Sequence, residues 1–218
     1  MQIAIVLYDR FTTLDAVGPY EVLSRLPGAT VTFAAQQRGP VMADTGMLSL
    51  VAEAAIDELQ SPDMVLVPGG PGQEDQMGDG PLHEWLRAVD ASTSWTTSVC
   101  TGSLVLAAAG LLAGRSATSH WLAVERLTDF GARPVRQRVV IDGKYITAAG
   151  VSAGIDMALE LSGRIGGRPT AEAIQLMIEY DPRPPYRAGS PDTAPADLVA
   201  KTRMASRHTA NRPVSAAG

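Results

Sequence analysis

The chain has 218 residues, 45% of them hydrophobic and 19% charged, the composition of a folded globular protein rather than of a disordered or membrane-spanning one. Its formal net charge of -5 disfavours a polyanionic partner, so nucleic acid is not expected and a small molecule is. The single cysteine, Cys100, excludes an intramolecular disulfide, and three scattered histidines (His83, His120, His208) form no metal-ligand pattern.

The opening "MQIAIVLYDR" has neither a basic leader nor a long apolar core, and "SLVLAAAGLLAG" is too short to cross a bilayer of ~30 Å. A cytoplasmic protein without a membrane span is expected. In chain order, "IAIVLY" (3–8) is a continuous apolar run, as a strand buried on both faces of a parallel sheet requires. "LDAVGPYEVLSRL" follows with helical spacing, Pro19 being tolerable only in a first turn. "TVTFAA" (30–35) reads as a strand, the stretch from Pro40 to Leu50 as a small hairpin and "EAAIDEL" (53–59) as a short helix.

"DMVLVPGGPG" (63–72) repeats the first strand and ends in a glycine-rich turn, ahead of a helix over 82–91. "WTTSV" (95–99) is a further buried strand, and "TGSLVLAAAGLLAG" (101–114) a helix. "RPVRQRVVIDGKYITAAG" (133–150) divides into a hairpin at "DG", and helices are expected over 150–165 and 170–180. Alternating strands and helices without a repeat predict a three-layer α/β sandwich with a mainly parallel sheet. The expected organisation is one domain over 1–181. A proline-rich arm and a basic tail, 182–218, follow it and either lie over the domain or contact a second subunit, the tail being a candidate for a frayed terminus.

Cys100 falls at the junction of a strand and a helix, with Ser98 and Gly102 as the small neighbours two positions away. That is the steric pattern of a strand-nucleophile-helix elbow, at the carboxyl edge where open α/β sheets place their sites. The N–H groups of the following helix predict an acidic thiol. A small apolar filler is the competing role for Cys100. Asp15, after the first strand, is a candidate acid or merely a helix cap. Gly69 and Gly70, after the third parallel strand, either offer N–H groups to a developing negative charge or simply form a turn. His120 in "TSHW" is a candidate for a Cys-His pair or a structural residue.

"SVCTGSLVLAAAGLLAGRSATSHW" resembles the nucleophile-elbow segment of the DJ-1/PfpI superfamily. "LDAVGPYEVL", "VLVPGGPG", "GVSAGIDMALEL" and "PPYRAGSPDTAPADLV" resemble its isocyanide (isonitrile) hydratase branch. The resemblance runs from the first strand to about Val199. It implies a flavodoxin-like fold, a homodimer, no cofactor, and a lyase that hydrates an isocyanide to an N-substituted formamide. By position it implies Cys100 as nucleophile, Asp15 as the acid beside it, Thr101 with its N–H near the reacting centre, and Gly69, Gly70 and His120 lining the pocket. Asp15 stands where peptidase-like and deglycase-like members carry glutamate.

Two other functions compete with the hydratase. A glyoxalase or deglycase would use the same thiolate on reactive carbonyls, and a non-enzymatic ligand or redox sensor would use the domain alone. A helix-turn-helix regulator is disfavoured, because 182–218 is proline-rich at its start and short for paired DNA-binding units.

Overall fold

The computed structural model describes residues 1–206. In chain order its elements are β1 (Gln2–Val6), α1 (Thr13–Leu23), β2 (Thr30–Ala35), β3 (Gly39–Met42), β4 (Ser49–Ala52), β5 (Ala54–Ala55) and β6 (Met64–Val67). There follow α2 (Pro81–Asp90), β7 (Trp95–Val99), α3 (Gly102–Ala108), the two-residue strands β8 (Ser116–Ala117) and β9 (Arg133–Pro134), β10 (Val139–Asp142) and β11 (Tyr145–Ala148). Helices α4 (Ala153–Gly166), α5 (Arg168–Met177) and α6 (Ala196–Ala205) complete it.

The central sheet has seven strands in the order β10-β11-β7-β6-β1-β2-β5. All pairs are parallel except β10 with β11, the hairpin turning at Asp142 and Tyr145. Parallel strands covered on both faces need apolar side chains on both, and β1 and β6 supply them: Ile3, Ile5, Met64 and Leu66 are all about fully buried. The strand order reverses between β1 and β6, so the crevice at their carboxyl ends is the topological switch point of the sheet.

Three local expectations are corrected. "EAAIDEL" is not a helix. Ala54 and Ala55 pair with Ala34 and Ala35 as the sheet's edge strand, and only Ile56–Glu58 forms a 3-10 turn. A seven-residue helix barely sustains itself, whereas the edge of β2 offers ready hydrogen-bond partners. Pro19 lies in the interior of α1, not in its first turn. Its ring packs closely enough that a Cβ on Gly154 of α4 would come within 3.0 Å of it, so tight α1–α4 packing outweighs the lost helix bond. The helix expected over 101–114 stops at Ala108, because Gly110 takes a φ of 85°.

The 3-10 segments Pro71–Gln76 and Val124–Phe130 and the helix α6 were not foreseen. Lys201–Ala205, the start of the segment expected to fray, belong to α6, and residues 207–218 of that tail, with His208, lie outside the described residues. Among the described residues no helix is long and apolar enough to cross a membrane.

Candidate active site

Three strand ends converge at the switch point. After β7 the chain turns at Cys100, whose φ of 57° puts a non-glycine residue in the left-handed region. Such a conformation costs about 1–3 kcal/mol and persists only where its surroundings impose it. Here the Cys100 N–H donates to the carbonyls of Ala148 and Ala149 at 3.0 and 3.1 Å. The Cys100 carbonyl accepts the hydroxyls of Ser103 and Ser119 at 3.1 and 3.0 Å. Ser98 is wholly buried, and a Cβ on Gly102 would overlap the Val67 carbonyl oxygen. The small residues on either side of the cysteine are therefore a packing requirement of the elbow.

Asp15, wholly buried in the first turn of α1, does not cap its own helix. Its Oδ2 accepts the Gly69 N–H at 2.9 Å. Its Oδ1 receives no well-directed hydrogen bond, while the Cys100 thiol is close enough to act on the carboxyl as a donor. The structure thus brings Cys100, Asp15 and Gly69 together from three separate segments.

Electrostatics correct the expectation of an acidic thiol. Burial pushes the Cys100 thiol well above its usual range and the negative charge of Asp15 adds to this, against the hydrogen bonds that the Thr101 and Val151 N–H groups make to the sulfur. The two N–H groups stabilise a thiolate, but an almost dry site with a carboxylate next door outweighs them. Burial also raises Asp15, to about 7, against the Gly69 and Cys100 hydrogen bonds and with a small contribution from Asp44. Near neutrality the pair therefore holds its proton on sulfur and keeps a carboxylate on the edge of protonation, poised to exchange one proton.

Gly69 and Gly70 take the second of their two expected roles, forming the turn after β6. Their N–H groups are already committed, Gly69 to Asp15 and Gly70 to Thr101 Oγ1 at 3.0 Å, so neither is available to a developing anion. A Cβ on Gly69 would lie 2.8 Å from the Cys100 Cβ, and Gly70 has a φ of 136° that suits glycine. They bring the β6 turn against the elbow and are not part of the cavity wall.

The cavity beside the elbow has a volume of about 490 Å³. Leu14, Ser119, His120, Trp121 and Val151 line one part of it and Gly189–Asp192 of the arm another. Cys100 lies just behind this wall: Ser119 holds its carbonyl and Val151 its sulfur. His120 packs over Gly150, where a Cβ would come within 2.7 Å of the ring, and its Nδ1 accepts the Leu122 N–H at 3.3 Å. The geometry places it on the cavity wall. A site of this size and mixed lining suits a small organic molecule.

Sequence reasoning missed Tyr8, Ser119 and Val151. Ser119 stands beside His120 in "TSHW", and Val151 opens the segment leading into α4, yet nothing in their spacing reveals contact with Cys100. Tyr8 carries the one hydroxyl in an otherwise apolar run, a signal that could have marked it.

The model of the DJ-1/PfpI family matches residues 1–163. An isonitrile hydratase of Pseudomonas putida is 43% identical over 203 residues, covering 93% of this chain and 89% of that protein. A helix-turn-helix transcriptional regulator of Pseudomonas aeruginosa is 39% identical over 139 residues, which amount to 62% of this chain and only 40% of the regulator. Among solved structures, a ThiJ/PfpI family protein from Pseudomonas syringae superposes with a TM-score of 0.91 at 40% identity, covering 93% of this chain and 84% of that one. Drosophila melanogaster DJ-1beta, at 22% identity and a TM-score of 0.74, shares the fold. A match over most of the chain, joined to a cysteine elbow at the switch point of a parallel sheet, shows that this protein belongs to the DJ-1/PfpI family.

Proposed function

We propose that this protein is a cofactor-independent isocyanide hydratase, a lyase that converts R–NC and water to an N-substituted formamide, with Cys100 as nucleophile and Asp15 as its proton partner. The observation that carries the reading is the meeting of Cys100 with the wholly buried Asp15 at the switch point, where the Gly69 N–H fixes Asp15 Oδ2 at 2.9 Å; burial raises both groups, so the pair is able to exchange a proton. The similarity to the isonitrile hydratase supports the choice of substrate.

The chemistry uses that proton twice. As Cys100 sulfur attacks the terminal carbon of the isocyanide, Asp15 takes the thiol proton and delivers it to the same carbon, giving a thioimidate, R–N=CH–S–Cys100. Asp15 then takes a proton from the attacking water as its oxygen bonds to that carbon and passes it to the nitrogen, giving R–NH–CH(OH)–S–Cys100, whose hydroxyl proton Asp15 carries to the departing sulfur. Collapse expels the sulfur, which recovers a proton, and R–NH–CHO leaves. Atoms balance with water as the only co-reactant. The Thr101 and Val151 N–H groups hold the sulfur when it departs as thiolate, and Ser103 and Ser119 keep the elbow in its strained conformation. His120 is a wall residue in this scheme, because Asp15 suffices for each proton transfer.

Residues 182–206 form an arm of the same unit, since Gly189–Asp192 contribute to the cavity. A homodimer and a cytoplasmic location complete the proposal. Met47 and Val51 of the β3–β4 hairpin are 86% and 61% exposed, which suits burial against a second copy. The test is formamide production from a simple alkyl or aryl isocyanide. Cys100→Ala and Asp15→Asn are each expected to abolish turnover. Full activity in Cys100→Ala would refute the mechanism, and absence of turnover in the unmodified protein would refute the substrate.

A further inference from the structure

Behind Asp15 lies a tyrosine that the reaction scheme does not use. Tyr8, two residues past β1 and 6% exposed, donates its hydroxyl to the Pro68 carbonyl at 2.6 Å. Pro68 C=O and Gly69 N–H are the two ends of one planar peptide group. The far end of that group is the donor to Asp15 Oδ2 at 2.9 Å. The next peptide is held likewise: the Gly69 carbonyl accepts the Thr12 N–H at 2.8 Å, and the Gly70 N–H donates to Thr101 Oγ1 at 3.0 Å. Without the tyrosine hydroxyl the Pro68–Gly69 peptide loses the one side-chain hydrogen bond found on its carbonyl among the described residues.

We propose that Tyr8 is a positioning residue for Asp15, its hydroxyl fixing and polarising the Pro68–Gly69 peptide so that the Gly69 N–H holds the carboxylate form. A hydrogen bond accepted at a peptide carbonyl strengthens donation at its N–H, because successive bonds polarise one another in a dry interior. The other charged or titratable groups acting on Asp15 are the Cys100 thiol of the elbow and Asp44, whose carboxylate accepts the Thr12 hydroxyl at 2.8 Å. Neither carries a positive charge. Among the described residues the Gly69 N–H is the one backbone donor counteracting the burial of the carboxyl, and Tyr8 sets its strength. Tyr8 itself stays neutral, since burial raises its phenol well above the usual range, with Asp15 and Cys100 adding to the effect. It therefore acts as a dipole through the peptide and transfers no proton.

The inference rests on the proton-shuttle reading of Asp15 above, and its test separates the two. The Asp15 carboxyl is titrated by 13C NMR, its resonance assigned by its loss in Asp15→Asn, alongside the pH profile of kcat/KM for an isocyanide. In Tyr8→Phe the carboxyl midpoint is expected to rise by about half a pH unit, with the acidic limb of the rate profile following it. With 3-fluorotyrosine at position 8, a stronger donor of nearly the same shape, the midpoint is expected to fall. That comparison also serves if the phenylalanine variant does not fold. One midpoint shared by all folded variants overturns the proposal, even if turnover drops. A midpoint that moves in a protein without isocyanide turnover upholds the role of Tyr8 and refutes the hydratase.

Discussion

At the residue scale, the site depends on a carboxyl buried where water would ionise it. Asp15 ordinarily titrates at 3.8 and is raised to about 7 by burial, so the folded state binds its proton more tightly than the unfolded state. Its contribution is most favourable below pH 3.8 and is lost as the pH rises to 7, beyond which the fold carries an unfavourable buried charge. Asp15→Asn is therefore expected to abolish turnover yet stabilise the protein at pH 8 by about 4 kcal/mol, with the gain vanishing below about pH 4. Denaturant unfolding at the two pH values checks this, and equal stability at pH 8 would contradict it. For the same reason kcat/KM is expected to climb with pH to a plateau with its midpoint near 7, where the carboxylate becomes available to take the thiol proton. Cys100, Ser98 and Gly102 could be picked out from the sequence, because an elbow demands small residues at fixed spacing, whereas Asp15 was marked only by its place after the first strand and by the family resemblance. The raised thiol could not be picked out. The helix N–H groups are local and visible in the sequence, whereas the burial that outweighs them, and the charge of Asp15 that adds to it, come only with the assembled fold.

At the scale of elements, glycine positions decide how closely strands and helices approach the site. Gly102→Ala would force its Cβ onto the Val67 carbonyl and lift α3 from β6. It is expected to destabilise the fold by about 1–3 kcal/mol and to lower turnover sharply, read by thermal melting and by the isocyanide assay together. Unchanged stability and activity would show that α3 can shift freely. The strands β1 and β6 were evident as apolar runs because each is buried on both faces, and the β10–β11 hairpin was marked by its "DG" turn. Edge and short elements were not. Ala54–Ala55 form a strand only because β2 lies beside them, and the 3-10 turn at Pro71–Gln76 is anchored by tertiary contact, with Gly72 N–H bonded to the Arg10 carbonyl at 3.2 Å. Helical spacing located α1, but the proline rule misplaced Pro19, because packing against α4 overrides it.

At the scale of the whole molecule, the arm and the hairpin extend the domain in opposite roles. Arm residues Gly189–Asp192 help enclose the cavity, while Arg203 of α6 stacks over Trp121 with its guanidinium carbon 5.0 Å from the ring centroid. Alanine at position 203 is expected to loosen the arm and raise KM for bulky isocyanides several-fold, with less effect on kcat, because the arm borders the cavity and not the reacting atoms. Met47→Glu with Val51→Glu is expected to convert a dimer to monomers, as read by light scattering; a monomeric unmodified protein would instead remove the second copy from the account. None of these long-range contacts is written in local periodicity, although the unusual "AGSPDTAP" stretch did draw attention to the arm. The most direct measurement of the central claim is intact mass after rapid quenching with an isocyanide, beside an assay for formamide. The account predicts an adduct of one R–NC on Cys100 in the unmodified protein and none in Cys100→Ala, with formamide formed only by the former. Formamide produced without any adduct, or by the Cys100→Ala protein, would contradict a cysteine-based hydration.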